Sequence, residues 1–157
     1  MEAAMDRPRL LAGLLRRVGD YNLQTFGDRL ILQKTVYLLQ AFGIYLGYQF
    51  NWYLRGPYSP QLTKDAFSVE ARWSRFEPVK FTNEVAEGRL MEFLAFVAGH
   101  KRDEAWLETT ASAHFLARVY GVTDKGSIFE KIKRKQPTLA RKSFESCWHE
   151  LEKEQLV

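Results

Sequence analysis

"DRLILQKTVYLLQAFGIYLG", Asp28 to Gly47, is the stretch that decides the fold. Leu30, Ile31, Lys34, Tyr37, Leu38, Ala41, Phe42 and Tyr45 recur at the spacing of one helical stripe, interrupted only by Lys34. Val36 and Leu39 are apolar off that stripe. A helix that is apolar on more than one side belongs inside a domain. Asp28 is a natural N-cap, and Gly47 suits a left-handed C-cap beyond an end frayed at Gly43. The reading is a buried central helix over Asp28–Leu46.

The chain then changes period. In "QFNWYLRGPYSP", Gln49 to Pro60, Phe50, Trp52 and Leu54 alternate with Gln49, Asn51, Tyr53 and Arg55. That alternation predicts a half-buried strand over Gln49–Arg55, with the first set turned inward. Gly56-Pro57-Tyr58-Ser59-Pro60 reads as a rigid turn. Ser59 and Pro60 then open a helix as N-cap and first helical residue. "EPVKFT", residues 77–82, is a second extended segment and the expected partner strand of a small antiparallel sheet.

The remaining pattern is helical. One helix is expected over Arg9–Val18, ended by Gly19-Asp20. Another is capped by Thr82 or Asn83 and carries Leu90, Phe93, Leu94 and Val97 on one face. A third runs from an Asp103 cap to Gly121. Ser127 and Glu130 have capping-box spacing before a fourth. Thr138 is the expected cap of the last, with Ala140, Phe144, Cys147, Trp148 and Leu151 on one face. The fold class is therefore mainly α with a minor β part (α+β). It is a single compact domain over residues 1–157, with six or seven helices and a two-stranded antiparallel sheet.

Composition narrows the setting. The 157 residues are 46% hydrophobic and 14% aromatic, enough for one well-filled core. One cysteine, Cys147, leaves no internal disulfide and no cysteine-based zinc site. The first twenty residues lack the apolar core of a signal peptide, and no apolar run approaches the roughly 18 residues of a membrane span. A cytoplasmic location without membrane contact is expected.

Motifs for catalysis are missing. There is no Gly-rich phosphate loop and no His-Glu-x-x-His pair. His100 is expected at the surface near a helix end, and His149 in water. His114 falls on the inward side of its helix, where a core histidine bonded to a backbone carbonyl is the reading over a catalytic one. The expectation is a non-enzymatic protein with no cofactor and no metal.

Two segments suggest binding. Tyr53, Arg55 and Tyr58 form an aromatic–Arg cluster on a frame stiffened by two prolines. Such clusters are the material of interface hot spots. They are the candidate partner-binding residues, alongside the plain reading of the turn as punctuation. "KIKRKQPTLARK", residues 131–142, holds Lys131, Lys133, Arg134, Lys135, Arg141 and Lys142 and no acid, in a chain of net charge +4. It offers phosphate contacts, so nucleic-acid binding is the alternative, with Arg16 and Arg17 as further cations. No aromatic lies within the run, which argues against stacking on single strands.

Leu32-Gln33-Lys34 with Tyr37-Leu38, then Gly47-Tyr48-Gln49-Phe50, Tyr53, Gly56-Pro57-Tyr58-Ser59 and Leu62 resemble the YwgA-type family of small prokaryotic proteins. "ASAHFLA", residues 111–117, is similar to a later helix of that family. A more distant similarity is to the Panacea domain of antitoxins, although Thr35 replaces an apolar residue there and Tyr58 follows the proline. The resemblance covers residues 28–67, and 105–120 more loosely. It implies a protein-binding module in a toxin–antitoxin or phage-defence setting, with a toxin or defence effector as partner, and brings no catalytic residues.

Overall fold

The computed structural model describes residues 6–19 and 21–157. Its helices are α1 (Arg7–Val18), α2 (Phe26–Ala41), α3 (Pro60–Val69), α4 (Glu84–Val97), α5 (Glu104–His114), α6 (Lys125–Lys135) and α7 (Arg141–Lys153). A 3-10 turn, Glu70–Arg75, extends α3, and a π-helical turn, Phe115–Val119, extends α5. Strands β1 (Asn51–Tyr53) and β2 (Gly56–Tyr58) form a two-stranded antiparallel sheet. The mainly α fold with a small hairpin is as expected.

Helix α2 is the centre. Every residue from Leu30 to Leu39 is buried. Helix α5 packs along it and is backed in turn by α7, while α1 packs on α3. Phe42 at the end of α2 meets Phe93 and Phe96 of α4 edge-on or tilted, at 5.5 and 5.1 Å between ring centroids. Large rings in such geometry bury much apolar area between the two helices.

The ends of α2 differ from the expectation. Thr25, rather than Asp28, is the N-cap. Its hydroxyl accepts from the Asp28 N–H at 3.0 Å, and the Asp28 carboxylate accepts from the Thr25 N–H at 3.1 Å. This reciprocal box satisfies two free amides of the first turn. The helix stops at Ala41, five residues short of Leu46, and Gly43 takes φ 98° just beyond it. The left-handed region there favours a residue without Cβ. Ile44 to Phe50 then runs without regular structure, with Ile44, Leu46 and Tyr48 buried in the core.

Other caps follow the sequence in part. Ser59 and Asp103 cap α3 and α5 as expected, and Asn83, one of the two candidates, caps α4. Asp124, not Ser127, caps α6, and Ser127 donates its hydroxyl to Asp124. Helix α7 starts after Ala140, without a side-chain cap, so Thr138 does not serve. Asp20 lies outside the described residues, and Gly19 is the C-cap of α1.

The sheet pairs differently from the expectation. "EPVKFT" does not join β1. Val79 donates its N–H to the Gly13 carbonyl at 3.0 Å, and Arg17 donates to the Val79 carbonyl at 2.8 Å, so the segment lies along α1. A Cβ on Gly13 would fall 2.4 Å from a Val79 methyl, which explains the glycine. The supposed turn at Gly56–Tyr58 is β2 itself. Short-range pairing closes a smaller loop than pairing across α3, and so costs less entropy.

His114 is a core histidine, but its partner is a side chain. The Tyr37 hydroxyl lies 2.7 Å from Nδ1. Burial pushes the Tyr37 hydroxyl up, so it stays protonated, and it shares one hydrogen bond with Nδ1 whose direction follows the imidazole tautomer. Burial, with Arg118 adding to it, holds the imidazole down at about 4 from 6.5. The unfolded chain therefore takes up this proton at higher pH than the folded one. The stabilisation is complete above pH 6.5, declines as pH falls, and is gone below about 4. Urea denaturation between these limits is expected to show a midpoint that falls with pH, and His114→Gln is expected to flatten that slope. An unchanged slope in the variant would place the acid sensitivity elsewhere.

Candidate functional site

The candidate site is an apolar groove of about 570 Å³ between the hairpin, the start of α2 and α3. Its position follows from three polar residues of α2. Gln33 accepts from the Ser59 N–H at 2.9 Å and donates to the Ser59 carbonyl at 2.8 Å. Lys34 donates to the Pro57 carbonyl at 2.7 Å. Gln40 accepts from the Leu46 and Tyr48 N–H groups and donates to the Tyr48 carbonyl. These bonds pin both ends of the hairpin on a helix that offers no solvent.

Lys34 interrupts the apolar stripe of α2. It is 2% exposed and stands at the heart of the structure. Burial pushes its ammonium down to about 8, opposed by the carboxylate of Glu108 and reinforced by Arg55. At neutral pH it remains charged. Glu108 on α5 is 1% exposed and accepts from Arg55 Nε at 2.6 Å. Burial pushes its carboxyl up, while the charges of Arg55 and Lys34 pull it back. Its second oxygen has no hydrogen-bond partner among the described residues. Lys34, Arg55 and Glu108 are thus one cluster of two cations and one anion at the hairpin turn, buried at Lys34 and Glu108 and open to solvent at Arg55.

The turn itself is Leu54-Arg55, between the paired residues Tyr53 and Gly56. Gly56 takes φ 94°, and a Cβ there would fall 2.3 Å from the Ser112 hydroxyl of α5. Only glycine lets the hairpin press this closely on α5.

Of the expected partner-binding residues, Tyr53, Arg55 and Tyr58 do converge on the groove. Tyr53 is exposed, and its ring meets Tyr58 edge-on at 5.3 Å. Tyr58 is half-buried, with its hydroxyl 2.9 Å from that of Thr63. Arg55 is half-buried by Glu108, and its guanidinium lies over the Phe26 ring at 5.7 Å. The inward set needs one correction. Phe50 and Trp52 pack on the core, but Leu54 is 83% exposed, because it sits in the turn where the pleat ends.

Phe26, Leu30 and Phe67 complete the groove and were missed. Phe26 and Phe67 are 58% and 49% exposed. Large apolar residues on otherwise polar faces at the start of α2 and on α3 were the available signal. Arg29, Lys34 and Arg55 line the groove, and among the described residues no acid does.

The basic run divides by partner. Lys133 donates to the carbonyls of Pro137 and Leu139, and Arg141 pairs with Glu145, which Lys125 also contacts. Lys142 is exposed on α7. Lys131, Arg134 and Lys135 line a separate cleft of about 740 Å³ with Trp52 and Tyr120. The aromatic residues absent from the run thus come from β1 and the π turn. Arg17 pairs with Glu87 through both guanidinium nitrogens, so it serves α1–α4 packing, whereas Arg16 is exposed.

Among the described residues no three His, Cys, Asp or Glu side chains converge. His100 stacks on Trp106 at 3.9 Å, and His149 is exposed. No helix of the described residues is long and apolar enough to cross a membrane.

Arg55→Ala is expected to strand the Glu108 carboxylate. Breaking a fully buried pair costs about 3–5 kcal/mol, and with Arg55 42% exposed the loss is nearer ~1–3 kcal/mol. Adding Glu108→Gln in that background is expected to recover most of it by urea denaturation, and no recovery would rule out the charge explanation. Compared with protein-family models, curated proteins and solved structures, the chain matches none.

Proposed function

We propose that the chain is a non-enzymatic protein-interaction module, which seats an apolar partner segment with acidic flanks in the hairpin groove. The observation that carries this reading is the exposure of Phe26, Tyr53, Leu54 and Phe67 around one concave surface. Exposed large apolar residues gathered in one patch, rather than scattered singly, mark sites of association. Central aromatic and arginine side chains beside an apolar anchor have the composition of a hot spot.

The charge pattern supports the nature of the partner. Arg29 and Arg55 edge the groove without a lining acid, so acidic flanks on the partner would be steered and oriented. The frame is rigid, because Gln33 and Lys34 hold it by buried bonds, so little ordering cost falls on binding. Gln33, Lys34 and the Tyr58 hydroxyl are engaged in holding the frame, which supports a binding role over chemistry. The partner's identity as a toxin or defence effector, with the chain as antitoxin-like or phage-defence accessory protein in the cytoplasm, is proposed on the resemblance of residues 28–67 alone.

The test uses two exposed anchors. Leu54→Ser and Phe67→Ser lie outside the core and are expected to change stability by less than about 0.5 kcal/mol each. Affinity purification of the tagged chain from its native cells is expected to retain a protein that the double variant loses, by tenfold or more. Equal retention by the variant, or no protein retained by the wild type, would overturn the reading.

A further inference from the structure

On the opposite side of β1, we propose a second site, independent of the groove: the Trp52–Tyr120 cleft binds single-stranded nucleic acid. Bases stack on the aromatic wall, and phosphates contact Lys131, Arg134 and Lys135.

The aromatic wall is built in layers. Phe115, 1% exposed, stacks under Trp52 at 5.8 Å and 21°, and meets Tyr120 edge-on at 4.8 Å. Tyr120 lies 6.5 Å from Trp52 and is 57% exposed. The ring that faces solvent is therefore held from below by two others. Its position depends on the π turn. Tyr120 donates its N–H to the Phe115 carbonyl at 3.1 Å, five residues back, and Val122 donates to Leu116 at 2.9 Å. Gly121, at φ 68°, turns the chain out immediately afterwards. The wider turn leaves Phe115 and Leu116 in the core and presents Val119 and Tyr120 outward. Single π turns are frequent at functional sites.

The cations face that wall. Lys131, Arg134 and Lys135 lie on one face of α6, and Lys135 Nζ sits 5.5 Å from the Trp52 ring centre. None of the three makes an ion pair among the described residues. Among the described residues no acid lines the cleft. Beyond Lys131 and Arg134, a neighbouring groove sets Asp124 and Glu130 against its cations, Arg141 included, whereas the Trp52 side sets no described acid against its own, so a phosphate is favoured on the Trp52 side. Unpaired cations beside an exposed ring match a strand's alternation of phosphate and base, and every base has a face that stacks. A duplex hides those faces and has no use for Tyr120.

Fluorescence anisotropy of a labelled poly-thymidine or poly-uridine strand in about 50 mM salt tests this. Binding is expected, with a log–log salt slope of about −2 for three phosphate contacts. Tyr120→Ala is expected to weaken it at least about fivefold, as loss of one stacked base does. Arg134→Ala is expected to weaken it and to flatten the slope. Lys142→Ala, at a cation outside the cleft, is expected to leave it unchanged. Absence of binding at low salt overturns the proposal. So does a Tyr120→Ala variant that binds as the wild type does, a duplex bound equally well, or competition by uridine monophosphate as effective as by the strand.

Discussion

The buried ammonium of Lys34 is the constraint around which the rest is arranged. A helix enclosed from Leu30 to Leu39 leaves no water for a polar side chain. Gln33 and Lys34 lie inside that stretch, and Gln40 stands at its edge. An unpaired charge there would be far costlier than any single apolar contact is favourable. Each is matched instead to backbone groups of residues 46–59. That segment needs them equally, because three strand pairs make too small a sheet to satisfy it or stand alone. Helix and hairpin therefore each supply what the other lacks. The depression of Lys34 to about 8 reflects the burial that this arrangement imposes. Glu108 then answers the charge and Arg55 answers Glu108, which ties α2, the hairpin and α5 into one polar core.

Much of this was legible in the sequence. The double apolar face from Leu30 to Phe42 placed α2 at the centre, and caps such as Ser59, Asn83 and Asp103 fixed three helix starts by local chemistry. What periodicity could not carry was partner choice over distance. An isolated lysine in an apolar stripe has the same local pattern whether it reaches water or a carbonyl 23 positions away. Pro57 obscured β2 because proline gives no N–H to a ladder, yet an edge strand of a two-stranded sheet tolerates it. "EPVKFT" has strand-like composition, and it rests where Gly13 of α1 leaves room for Val79, Arg17 binds the Val79 carbonyl and Glu87 accepts from the Phe81 N–H.

The candidate site divides in the same way. Tyr53, Arg55 and Tyr58 were found because they are neighbours in sequence on a stiff frame. Phe26 and Phe67 were not, since they reach the groove from two other helices. In the basic run, composition counted six cations alike. Geometry distinguishes them: Lys133 ties the turn after α6 and Arg141 bonds along α7, while Lys131, Arg134 and Lys135 remain directed at Trp52 and Tyr120. Charge in a sequence measures potential partners, and burial and hydrogen bonding decide which are already taken.

The two surfaces meet at a single pleat. Successive strand residues point to opposite faces, so Tyr53 enters the groove beside Leu54 and Phe67, while Trp52 packs on Phe115 in the cleft. The strand between them cannot slip by one residue, because that would exchange Trp52 for Tyr53 and put an indole against solvent. Its register is held from outside, by Gly56 against Ser112 and by Lys34 on Pro57. The same contacts that let α2 bury its charge therefore keep an apolar groove on one side of the hairpin and an aromatic, basic wall on the other. A hairpin this short has no register of its own strong enough to separate two such faces. The separation is imposed by the helices beneath it, and it follows from where α2 places one lysine.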